Sequence, residues 1–156
     1  MKATVWFAGH LLKMLDEPFD RRSWHGPNLR GALRGISANQ AAWRPADGAH
    51  NIWELAMHAA YWKYVVLRKI AGGKPGGFVL KGSNYLPRPV ELSEAAWKKD
   101  LAILEAIHQD LRQAVGHLKP GASTRLLHMI RGVAAHDLYH AGQIRLIRRL
   151  HTGSGR

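Results

Sequence analysis

Apolar residues recur along most of this chain at steps of three and four, and strict alternation of apolar with polar residues is nearly absent. A period near 3.6 suits helices and a period of two suits strands, so the chain is expected to be all-α. Val5, Ala8, Leu11, Leu12 and Leu15 mark a first helix from Thr4 to about Glu17, ended by Pro18. After a bend from Arg21 to Pro27, the residues Leu29, Ala32, Leu33 and Ile36 mark a short piece over Asn28 to Gly35, and Ser37 with Gln40 caps a further turn. Asn51 with Glu54 three places on forms a capping box, in which each side chain satisfies a free backbone N–H, and opens a helix reaching about Ala71.

The run from Gly72 to Gly77 stops that helix, and Pro87 and Pro89 keep Gly82 to Pro89 irregular. The Gly-rich run lacks the spacing of a phosphate loop and has no strand before it. Ser93 opens a third long helix, with Leu92 and Trp97 placed as a hydrophobic staple and a stripe of Trp97, Leu101, Leu104, His108, Leu111, Val115 and Leu118. Pro120-Gly121 breaks the chain, and Ser123 or Thr124 caps a last helix to about Leu150. The expected architecture is a four-helix bundle with a long irregular connection between its second and third helices, in a single domain over residues 1–156.

With no cysteine in the sequence, disulfides, thiolate metal sites and cysteine nucleophiles are excluded together. The longest stretch free of Lys, Arg, Asp and Glu, Ala3 to Leu12, is shorter than the roughly 18 apolar residues of a membrane span, so no membrane association is expected. No basic segment leads into an apolar run near Met1, and cytoplasmic residence is the expectation. Lys and Arg number 23 against 11 Asp and Glu, a formal charge of +12 that favours anions at long range. Arg145, Arg148 and Arg149 fall near the end of the last helix, where cations complement the helix dipole or meet an anionic partner.

Special chemistry therefore falls to histidine. Leu55, His58, Trp62 and Val65 follow steps of three and four, which places His58 on a core-facing stripe together with Trp62. Val133, His136, His140 and Ile147 do the same, and a separation of four residues puts His136 and His140 on one side of a helix, one turn apart. Burying three imidazoles without partners is costly, and a shared divalent ion accepts a lone pair from each. Three neutral nitrogen donors suit zinc or nickel and leave a position for water or substrate. The sequence His136-Asp137-Leu138-Tyr139-His140 echoes the H-E-x-x-H helix of zinc peptidases, but Asp is one methylene shorter than Glu and nothing else supports a peptide cleft. Paired Glu-x-x-His motifs of a di-iron bundle are absent.

The segments "HNIWELAMHAAYWKYVVLRKI" and "GVAAHDLYHAGQIRLIRR", with "SWHGPNLRGAL", "AAWRPADGAHNIWE" and "LKGSNYLPRP", resemble the DinB/YfiT-like superfamily of small metal-binding four-helix bundles. The likeness runs from about Asp16 to Arg149. It implies a divalent metal held by His58 from the second long helix and by His136 and His140 from the last, the three residues that the stripes select. It also implies relatives that include transferases and isomerases using low-molecular-weight thiols such as bacillithiol or mycothiol, and a homodimer.

Asp137, Gln143 and Tyr139 lie beside the ligand turn as candidate catalytic or ligand-orienting groups. Gln143 would orient a bound water or a ligand ring, and Asp137 is open to roles as base, ligand partner or solvent-facing acid. Glu54 reads as a helix cap before it reads as a partner of His58, His108 as a core histidine before a fourth ligand, and His25 as a residue that could line the pocket. Arg88 and Lys81, in the long connection, are candidate contacts for an acidic thiol or substrate. The leading expectation is a metal-dependent enzyme, a thiol-dependent S-transferase or a hydrolase, acting on a small-molecule substrate. The alternatives are a basic nucleic-acid-binding protein and a non-catalytic, metal-stabilised scaffold; no recognition helix with a turn and no basic arm supports nucleic acid.

Overall fold

The structure is a computed structural model that describes residues 2–24, 26–72 and 77–153, and side chains from residue 6 onward. Six helices follow in order: α1 (Lys2–Phe19), α2 (Leu29–Leu33), α3 (Ala38–Ala42), α4 (Ile52–Ile70), α5 (Glu94–Gly116) and α6 (Thr124–Gly153). No strand occurs among the described residues, only one isolated bridge between Ser23 and Gly26. The all-α expectation is met. No helix among the described residues is long and apolar enough to cross a membrane.

Local chemistry starts most of these helices where the sequence places them. The Asn28 side chain accepts from Gly31 N at the head of α2, while Ser37 with Gln40 and Asn51 with Glu54 complete reciprocal capping boxes at α3 and α4. Ser93 accepts from Ala96 N at α5, and Ser123 accepts from Leu126 N at α6. Pro18 lies inside the last turn of α1 instead of ending the helix, which runs one residue past it. Of the expected staple at α5, Trp97 is buried, its Nε1 donating to Ile36 O at 2.8 Å, while Leu92 is 56% exposed.

The four long helices pack in a closed cycle, α1 and α4 each touching both α5 and α6, while α2 lies against α6 and α1 and α3 lies against α4 and α5. Two apolar clusters form. One gathers Phe19, Trp53, Leu55, Trp97, Leu104, Ala141 and Ile144; the other gathers Leu11, Leu15, Val66, Leu111, Val115, Ile130 and Val133. On α4, α5 and α6 the passage from one cluster to the other is occupied by buried polar residues: His58 and Lys63, His108, and Asp137 and His140. A polar layer thus crosses the molecule between two apolar halves, and polar groups there must find partners in each other.

Candidate metal centre

Within that layer α4 and α6 bring their stripe histidines together. His136 Nε2 lies 3.0 Å from His58 Nε2 and 2.9 Å from His140 Nε2. A ligand atom from each of the three lies within 4.8 Å of the others. His58 and His140 are buried, whereas His136 is half-buried.

The outer nitrogens decide which ring atoms face inward. His58 Nδ1 donates to the backbone carbonyl of Asn84 at 3.2 Å, and a carbonyl can only accept, so His58 Nε2 carries a lone pair. His140 Nδ1 donates to Gln143 Oε1 at 2.7 Å, and Gln143 Nε2 in turn donates to the Tyr139 hydroxyl at 3.1 Å. His140 Nε2 is therefore a second inward lone pair. The third ring can donate one proton at most, to one neighbour or the other. Protonating the rings is opposed, since burial first, with repulsion from neighbouring charges, pushes His136 down to about 3, and burial pushes His140 down to about 4. His58 is lowered too, again chiefly by burial. Close neutral acceptors that resist protons are the donor set that a divalent cation satisfies, and these three residues fit one.

The long connection supplies supports that the helical stripes did not disclose. Asn84 has a positive φ of 57°, and it serves the site twice: its carbonyl fixes His58, and its Oδ1 accepts from Trp62 Nε1 at 3.1 Å. Asn is one of the few non-Gly residues that enter this left-handed region readily, which was the available clue. Tyr85 then stacks on His58 at 3.8 Å and on His50 at 3.8 Å, so one ring is held between two imidazoles. Trp62, expected in the core, is 39% exposed and stands edge-on to His136 at 6.5 Å. The buried line of α4 runs through Ala59, Lys63 and Val66 instead, a rotation of one residue from the stripe drawn through Trp62 and Val65.

A family model for the DinB superfamily matches residues 21–144. The chain belongs to the DinB superfamily. Comparison with curated proteins and with solved structures gave no match. The histidine cluster of this DinB-superfamily chain fits a protein that binds a divalent metal.

Behind the DinB histidines lies a buried ionic cluster. Lys63, wholly buried, pairs with the Asp137 carboxylate, and its Nζ lies 3.3 Å from His108 Nδ1. Phe19 stacks on the His108 ring at 3.6 Å and also lies under Lys63 Nζ at 4.7 Å. Arg112 holds both oxygens of Asp16 at 2.9 and 3.0 Å, with His108 Nε2 3.8 Å from that carboxylate. Asp137 is thus neither solvent-facing nor free: its Oδ2 is engaged by Lys63. The partner lysine was missed because a lone Lys on a helix reads as a surface residue, and its spacing from Ala59 and Val66 competes with the stripe through Trp62 and Val65.

The remaining candidates separate cleanly. Glu54 caps α4 and gathers Arg44, His50 and the Arg88 backbone N–H, and none of these bonds involves His58. His108 belongs to the ionic cluster rather than to the three-histidine cluster. Arg88 faces Asp100, with Nε 3.0 Å from Oδ2, so it braces the connection instead of a ligand; Lys81 is exposed. Arg148 donates to the carbonyl of Arg34, the C-cap of α2, at 3.1 Å. His25 lies outside the described residues.

Proposed function

We propose that the protein is a metal-dependent enzyme in which His58, His136 and His140 hold one divalent ion, zinc or nickel, on a four-helix bundle formed by α1, α4, α5 and α6. The observation that carries this reading is the convergence of three Nε2 atoms whose outer nitrogens, on two of the rings, are already tied to acceptors. A bound ion would supply Lewis acidity, favouring the deprotonated form of a thiol or water beside it at neutral pH. The chain has no cysteine, so a thiol must come from outside. A transferase using a low-molecular-weight thiol, or a hydrolase of a small electrophile, follows from that chemistry together with family membership.

The protein's own residues have separable duties in this scheme. Asn84 and Gln143 hold His58 and His140 in the tautomer that faces inward, and Tyr139 positions Gln143. Tyr85 covers one face of His58 and keeps water from it. The Lys63–Asp137 pair ties α4 to α6 at the level of the ligands. We further propose a homodimer, with small molecules rather than nucleic acid as substrates.

Elemental analysis of protein purified without a histidine tag, compared with His136→Ala, tests the proposal. Stoichiometric zinc or nickel that disappears in the variant is expected. Metal-free wild-type protein that also fails to take up added zinc, nickel or manganese overturns the reading. A panel of thiols with an electrophilic acceptor, run beside ester substrates, then separates transferase from hydrolase.

A further inference from the structure

The half-buried ligand, His136, is also part of a second feature. A cleft of about 240 Å³ runs between α4 and α6, lined by Trp62 and Val66 on one side and Met129, Gly132, Val133 and His136 on the other. The larger hollow of about 720 Å³ between α2 and α5 has none of the three metal-site histidines in its wall. Of the three histidines, His58 and His140 are buried while His136 is half-buried and lines the cleft. Its aromatic wall is fixed in advance, because Asn84 holds the Trp62 indole N–H and the His58 ring at once. No carboxylate, ammonium or guanidinium lines the cleft; at its rim, Arg131 Nη2 donates to His128 Nδ1 at 3.2 Å.

We propose that this cleft receives an uncharged apolar body, an aromatic ring or short alkyl chain, of the molecule whose polar end is presented to the three histidines. The inference deepens the metal-enzyme reading and rests on it only for the polar end. The volume sets the size: it falls below the roughly 300–1,000 Å³ of drug-sized sites, which limits the body to about one ring. A wall of Trp, Val and Met gains by removing such a body from water, and offers nothing to compensate a buried charge.

Gly132 supplies the test. It lies within α6 without a positive φ, and a Cβ added there meets nothing within 4 Å. A helical side chain leans toward the preceding turn, so leucine at this position would lie back across Met129 and fill the cleft without strain. Gly132→Leu should therefore keep the fold and the metal content while closing the cleft, and Gly132→Ala should leave it open.

The first arm uses metal-free protein titrated with benzyl alcohol, reading the Met129 methyl signal by NMR, assigned with Met129→Leu. A saturable shift in wild type and Gly132→Ala that is absent in Gly132→Leu supports the cleft. No saturable shift, or the same shift in all three proteins, overturns it. The second arm compares acetohydroxamate with benzohydroxamate on zinc-loaded protein. The phenyl compound should bind roughly tenfold tighter or more to wild type, and the preference should vanish in Gly132→Leu with acetohydroxamate unaffected. Equal affinities in wild type overturn the proposal. Failure of the metal reading shows separately, as protein that takes up no zinc, and the benzyl alcohol arm still decides the cleft.

Discussion

Lys63→Met should destabilise the metal-free protein by about 3–5 kcal/mol, because it removes one partner of a buried ion pair and strands the other. The structure sets this magnitude. Lys63 is wholly buried and its Nζ is the hydrogen-bond partner of Asp137 Oδ2, while Asp137 Oδ1 is buried with no partner at all. Even with the lysine beside it, burial pushes Asp137 up to about 6, and Lys63 is the group that pulls it back toward the usual range. Among the described residues Lys63 is the cation that acts on this carboxylate, so without it the group at pH 7 must take up a proton or remain an uncompensated charge. The penalty has a pH sign. Asp137 binds its proton more tightly in the folded state, so folding stability falls as pH rises from the ordinary Asp range through about 6 in wild type, and through a higher pH in the variant. Replacing both partners, Lys63→Met with Asp137→Leu, removes the stranded charge and should recover most of the loss. Thermal melts followed by circular dichroism measure this: with about 2–4 °C per kcal/mol for a domain of this size, the single variant should melt about 6–20 °C lower. A single variant within about 1 kcal/mol of wild type, or a double variant as unstable as the single, refutes the buried-pair reasoning.

Other outcomes follow from the same geometry. Asn84→Gly keeps the carbonyl that fixes His58 and tolerates the positive φ but removes the Trp62 partner, so zinc affinity by competition titration should hold while Trp62 side-chain order by NMR falls. Asn51→Ala removes the cap of α4 and the bond to Arg88 O; urea melts should show a loss of about 1–2 kcal/mol. The depressed His136 and His140 leave unfolded chains binding more protons below about 6.5. Metal-free stability should therefore fall as pH drops from about 6.5 toward 3–4, with a shallower fall in the His136→Ala, His140→Ala double variant. Urea melts at several pH values check this, and a slope unchanged by removing both rings contradicts it.

Interactions that span three or four residues were legible in the sequence. The caps Ser37 with Gln40 and Asn51 with Glu54 depend on one turn of backbone, and so does the pairing of His136 with His140 on one side of α6. The burial of His58 and His108 was also legible, since both lie inside long apolar stripes. The three members of the histidine cluster could be chosen too, because an imidazole on a core stripe demands a partner and three such imidazoles can share one.

Tertiary structure alone decided what lies at the edges of those stripes and what crosses over them. One residue turns a helix by about 100°, so a small difference in which neighbours pack against α4 moves Trp62 out to the cleft and Lys63 into the core. The contacts that hold the site, Asn84 to His58 and Lys63 to Asp137, join residues 26 and 74 positions apart. No local period records such distances. They exist because the polar groups of one buried layer, cut off from water, must be satisfied by whatever the fold brings within reach.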